Sequence, residues 1–262
     1  GWVGLLITMI NLMPIGQLDG GPQLFDTGFV VLAKAAEKNK PKGKKTWIFQ
    51  ADNVRDFAFA SSRKFIWDAM AVEGHTHPPA PKRPGGAADR MARAPVMAMS
   101  MYPKEGMPLW DKYSSHAIAH TIQTYSRLTF DYPYPVAWSV NGPVGGMEYP
   151  MISFNGYRPV KDEKTGKKTY TRNAKYGLIG VVIHEVGHNY FPMIVNSDER
   201  QWVWMDEGLN TFLQYLAEQE WEQGYPSSRG EPAAITGYMA STDQVPIMTS
   251  ADSVLQMGSN GY

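Results

Sequence analysis

Apolar and polar positions change their spacing along this chain, and the change divides it into a strand-rich part and a helical part. The stretches DFAFAS (56–61) and VMAMSMY (96–102) alternate, the period of a strand whose side chains point to opposite faces. Residues 136–140 (VAWSV) and 149–154 (YPMISF) are further strand candidates. A long helical stretch, about 108–129, separates the second strand from the third. After residue 174 the period lengthens. Tyr176, Ile179, Val182, Ile183, Val186 and Tyr190 fall on one helical face, and Leu209, Phe212, Leu213 and Leu216 repeat the pattern. A small sheet followed by two packed helices is expected, an α+β chain without internal repeats.

The first residues, GWVGLLITMINLMPIG, are almost continuously apolar, interrupted only by Thr8 and Asn11. The run is slightly shorter than the roughly 20 residues that cross a bilayer. No Lys or Arg precedes it, so it is a poor signal peptide as written. Two readings stand side by side: a buried hairpin or core helix, and the tail of a membrane span that begins outside this chain. Residues 34–45 hold six lysines around a Pro and a Gly. They read as a solvated loop, or as a juxtamembrane basic segment if residues 1–18 span a membrane. Residues 75–90, HTHPPAPKRPGGAADR, read as an exposed Pro/Gly-rich loop, and nothing near His75 and His77 completes a metal site.

Composition narrows the chemistry. The 262 residues suffice for one large domain. Lys+Arg and Asp+Glu are both 25, so no charge argument for nucleic acid arises. Cysteine is absent, which excludes disulfides and thiolate metal sites and leaves His, Asp and Glu as ligands.

That directs attention to HEVGH, residues 184–188. On a helix His184 and His188 are neighbours on one face, so both imidazoles can reach one ion. Glu185 is placed to contact a water on that ion without being a ligand itself. Zinc lowers the pKa of such a water and a carboxylate takes its proton, the arrangement of a metallohydrolase. Glu207, in WMDEG, follows His188 with eighteen residues between them, early on the second helix. It would complete a His₂Glu site with one open position, the catalytic rather than the structural form. Asp206 would either cap that helix or orient a histidine.

The stretch from His184 to Leu213, together with GPVGGMEYP (142–150), resembles the membrane-alanyl aminopeptidase family of gluzincin zinc metallopeptidases. The likeness runs from about Trp47 to the last residue. It implies a thermolysin-like gluzincin catalytic domain over 51–262, truncated at both ends, after a basic linker and the end of a β-rich domain at 26–50. It implies one Zn²⁺ per chain on His184, His188 and Glu207, with Glu185 as general base. Glu148 would bind the free α-amino group of a peptide, and Gly145, Gly146 and Met147 would form an edge strand for the peptide backbone. GSNGY resembles the stretch that holds the family's transition-state tyrosine, which makes Tyr262 the catalytic hydroxyl. Residues 1–25 weakly resemble the C-terminal region of site-2-type intramembrane metalloproteases, in which Asp19 would be a ligand; a turn before Gly20 and Gly21 is the alternative.

The chain departs from the family at Tyr149, at Phe191–Met193 and at Asp206, where Asn, Phe-Gly-Asn and Asn are usual. Tyr262 also follows Glu207 by only 55 positions. The expected function is a zinc aminopeptidase acting on peptides with a free N-terminus, with no nucleic-acid partner and with membrane association through residues 1–18. A membrane or cell-envelope location is preferred to the cytoplasm. The alternatives are a thermolysin-like endopeptidase, which needs no carboxylate for a substrate ammonium, and a non-catalytic relative.

Overall fold

The computed structural model describes residues 54–76 and 95–253. Strand β1 (Phe65–Thr76) pairs antiparallel with β2 (Pro95–Pro103), from Phe65 opposite Pro103 to Ala71 opposite Met97. Helix α1 (Trp110–Leu128) then carries the chain back, so that β3 (Val136–Asn141) lies parallel to β2. Strand β4 (Gly146–Tyr149) turns directly into β5 (Ile152–Asn155), which is parallel to β3. The sheet order is β1-β2-β3-β5-β4, which leaves β4 on an edge. A small exposed hairpin, β6 (Val160–Lys161) and β7 (Lys168–Thr169), leads to helix α2 (Arg172–Gly187). Helix α3 (Leu209–Trp221) follows, with a short α4 (Thr236–Met239) beyond it. The class is α+β, as the change of period implies.

Helix α2 starts where Thr171 caps it, its hydroxyl accepting from Ala174 N at 3.1 Å. It is buried on nearly every side, because the sheet, α1 and α3 all pack on it. Leu178, Ile179, Val182, Ile183 and Val186 lose all contact with water. Each contributes roughly 1.5–3 kcal/mol as an upper bound. The helix that leads to the two histidines is thus firmly held. Tyr190 lies just past it and packs against the rings of Tyr125, Phe130 and Tyr132.

Three expectations need correction. Residues 56–61 alternate but form no strand; Ala58 and Ala60 pack on the second face of the sheet, beside Met101, Val140, Ile152 and Phe154. Alternation reports which side chains face a core, not whether the backbone is paired. The strand at that edge is β1, where Val72 is fully buried and Trp67 is exposed, a weak apolar signal. The run 149–154 is two strands joined at Pro150 and Met151. Met151 takes a φ of 66°, the positive value that follows Pro in a type II turn. In α3, Leu213 is buried, but Leu209 and Phe212 are exposed. Asn210, Thr211, Ala217 and Glu218 face inward instead, because α3 meets α2 through hydrogen bonds, from Asn210 to the His184 carbonyl and from Gln214 to the Gly180 carbonyl.

Among the described residues no helix is long and apolar enough to cross a membrane. The expectations placed on residues 1–50, including Asp19 and the membrane span, lie outside the described residues. Nothing observed supports the intramembrane-protease resemblance.

Candidate active site

The last turn of α2 presents His184 and His188 side by side, their rings 4.6 Å apart and nearly perpendicular. Facing them is a π turn, Trp204–Gly208, that leads into α3 and carries Asp206 and Glu207. Such wide turns recur at functional sites because they re-aim side chains within a helix. Glu207 Oε2 lies 3.0 Å from His184 Nε2 and 3.4 Å from His188 Nε2, and the two nitrogens are 3.1 Å apart. Ligands about 2 Å from a tetrahedral ion stand about 3.3 Å from one another. The three atoms therefore have the spacing of one face of such a site.

Electrostatics point the same way. Glu207 Oε2 is buried against the two imidazole nitrogens. Burial raises the Glu207 carboxyl, but the two imidazoles beside it more than offset that and hold it well below the usual range. Burial also opposes charge on His188, yet Asp206 and Glu207 raise it far above an ordinary histidine. Both shifts express one demand, positive charge at this point. A divalent cation on neutral imidazoles meets it as well as a proton does, so the residues fit a zinc ion.

Each imidazole is held from behind. His184 Nδ1 donates to Gln214 Oε1 at 2.9 Å. His188 Nδ1 is 2.8 Å from the Phe191 carbonyl oxygen and 3.0 Å from Asp206 Oδ1. These acceptors hold a proton on each Nδ1, so that with an ion bound each Nε2 can offer it a lone pair. Of the two roles open to Asp206, the contact with His188 is observed. No side-chain cap bond occurs at the π turn or at the start of α3.

Strand β4 supplies the other wall, and among the described residues no strand pairs with its outer edge. Alternation sends Gly146 and Glu148 to the side of α2, while Met147 faces away and is exposed. Glu148, His188 and Asp206 bring ligand atoms within 4.8 Å of one another. Burial raises the Glu148 carboxyl, against the attraction of His188. A methyl group at Gly146 would overlap the Glu185 carboxylate, 2.8 Å from its Cδ. Glu185 is buried, and burial pushes its carboxyl up to about 8, with His188 opposing and Glu148 adding to the rise. Its Oε2 has no hydrogen-bond partner among the described residues. Gly145 precedes the strand, its carbonyl accepting from Gly156 N at 3.1 Å.

The geometry thus gathers His184, Glu185, His188, Asp206, Glu207, Gly146 and Glu148. Gly145 and Met147 border this group on β4. Tyr262 and His77 lie outside the described residues. Asn189, Asn210 and Gln214 also belong to the site's framework and escaped the sequence reading. A signal existed, since Asp206, Asn210, Gln214 and Glu218 recur every four residues, a polar stripe down one side of a helix.

No protein-family model and no curated protein matches the chain. Among solved structures it is similar to parts of larger proteins. An M1 zinc metallopeptidase from Deinococcus radiodurans is 17% identical, with a TM-score of 0.44 over 70% of this chain and 35% of that one. A variant of a two-domain M1 zinc metallopeptidase bound to L-arginine is 14% identical, with a TM-score of 0.46 over 74% and 38%. Legionella pneumophila aminopeptidase A, in complex with aspartic acid, is 12% identical, with a TM-score of 0.44 over 60% and 16%. The chain thus spans well under half the length of each of these structures.

Proposed function

We propose that this chain carries the catalytic site of a zinc-dependent aminopeptidase, with His184, His188 and Glu207 as ligands. The observation that carries the reading is the 3.0–3.4 Å triangle of Nε2, Nε2 and Oε2 with a second, separate carboxylate, Glu148, facing the same space from an edge strand. Zinc, when bound there, supplies an activated water and a Lewis acid for the scissile carbonyl.

The chain's own residues do the rest. A peptide's first residues lie along the open edge of β4, bonded through the backbone. Its α-ammonium, with a pKa near 8, is largely charged at neutral pH and pairs with Glu148. That pairing sets the first peptide bond over the histidines. Glu185, facing the same space, takes a proton from the attacking water and returns it to the leaving amine. Tyr262 is retained from the sequence as the hydroxyl donor to the developing oxyanion.

Two measurements test the reading. Purified protein should contain close to one zinc per chain, lost in Glu207→Ala. Peptides with a free N-terminus should be shortened one residue at a time, while N-acetylated peptides survive. Rapid internal cleavage of acetylated peptides would establish an endopeptidase instead.

A further inference from the structure

Behind His184 runs a line of polar groups, half-buried at Gln214 and Ser227 and buried at Glu218, that the reaction does not use. Gln214 Oε1 accepts the His184 Nδ1 proton at 2.9 Å. The other end of the same amide is doubly engaged: Nε2 donates to Glu218 Oε1 at 2.7 Å and to the Gly180 carbonyl at 3.3 Å. Glu218 is buried, and its second oxygen accepts from the Ser227 hydroxyl. A β-carbon at Gly180 would stand 2.8 Å from Glu218 Oε1, so the carboxylate rests against bare helix backbone. A buried carboxylate with all of these contacts satisfied is a built feature, not an accident of the surface.

The consequence lies in the amide's two ends. A glutamine side chain can turn over and present either oxygen or NH₂ to a histidine. With NH₂ facing His184, Nδ1 would have to accept, the neutral ring's proton would move to Nε2, and the lone pair that an ion needs there would be lost. Two acceptors at the NH₂ end, Gly180 O and Glu218, forbid that orientation.

Resting on the reading of His184 as a zinc ligand, we propose that Gln214 and Glu218 are a positioning pair for it. Glu218 fixes which way the Gln214 amide faces, and Gln214 fixes the tautomer in which His184 can bind the ion. Glu218 acts at one remove, through the amide.

The test is made on the whole chain. With metal removed by a chelator, ¹⁵N NMR of the neutral His184 ring should place the proton on Nδ1. A proton on Nε2 overturns the proposal. Zinc affinity, measured by chelator competition, should fall about 10–100-fold in Gln214→Leu. Glu218→Leu should weaken it in the same direction. Glu218→Gln should restore most of it, since its Oε1 can still accept from Gln214 while its NH₂ donates to Ser227. A merely structural role would lower the melting temperature of Glu218→Leu and leave zinc affinity untouched; unchanged affinity in either folded Leu variant overturns the pair. Should the wild-type chain take up no zinc, the metal reading fails. The His184 ring spectrum then decides the tautomer relay alone, upheld by Nδ1–H and overturned by Nε2–H.

Discussion

Gly146 on the edge strand and Glu185 on α2 lie in such close approach that no side chain fits between them. A methyl group at Gly146 would meet the Glu185 carboxylate and come within 2.9 Å of Val181 Cγ2. The carboxylate is the free end of a side chain, so it would swing aside before the backbone moved. Gly146→Ala should therefore fold and bind zinc, and yet lose about a hundredfold in kcat, the usual effect of a catalytic group displaced by about 1 Å. Metal content and steady-state rates, measured together, check this; an unchanged kcat would mean that Glu185 does not act from its present position.

Glu148 is expected to act on one kind of substrate only. A hydrogen bond to a charged group contributes about 1.5–3 kcal/mol. Glu148→Gln should therefore lower kcat/KM for peptides with a free N-terminus about ten- to a hundredfold. Weak turnover of N-acetylated peptides should stay the same. Equal losses on both substrates would assign Glu148 a structural task.

The metal-free chain should lose stability as pH rises. Burial raises Glu185 to about 8 from its ordinary 4.5, and it raises Glu148 and Glu218 too. His188, against the effect of burial, is raised by Asp206 and Glu207. Each group binds its proton more tightly folded than unfolded, so its contribution is whole below the unfolded pKa and is lost as pH climbs through the folded one. Glu207 has the opposite sign, but its contribution is already whole above the ordinary carboxylate range. Thermal melts with chelator should show a lower Tm at about pH 8.5 than at about pH 6, and zinc should narrow the gap. A Tm that rises over that interval would contradict the burial of these carboxyls.

Asn189 joins two elements that the sequence keeps apart. Its Oδ1 accepts from Met151 N at 2.8 Å, and its Nδ2 donates to Val186 O at 3.0 Å. Met151 is buried and holds a left-handed backbone, which a non-glycine residue adopts at a cost of roughly 1–2 kcal/mol. In Asn189→Ala the Met151 N–H stays buried without its partner, and the chain should lose about 1–3 kcal/mol by urea unfolding. No loss would mean that water replaces the amide.

What the sequence disclosed followed from periodic burial and from fixed spacing. Helix α2 was legible because Ile179, Val182, Ile183 and Val186 recur on one face, and the two histidines because a four-residue step puts them there. β1 was hidden because an edge strand buries little; among its described side chains only Val72 is fully covered. The inner face of α3 was misread because Leu209 and Phe212 suggested an apolar contact, whereas Asn210, Gln214 and Glu218 make a polar one. Hydrophobic periodicity has no means of registering a helix pair joined by amides. The placement of Glu148 beside His188 depended on a sheet register that only the folded chain specifies.

The Asn189 tie has a consequence for substrates. It anchors the β4–β5 hairpin to the residue that follows His188, so the carboxylate proposed to hold a peptide's first nitrogen cannot drift from the histidines. The two are joined through a buried turn and a packed helix rather than through a mobile loop. Under the proposed function, the chain is a ruler with a fixed gap, and the length of that gap, more than any side-chain pocket, determines that one residue is counted off before the cut.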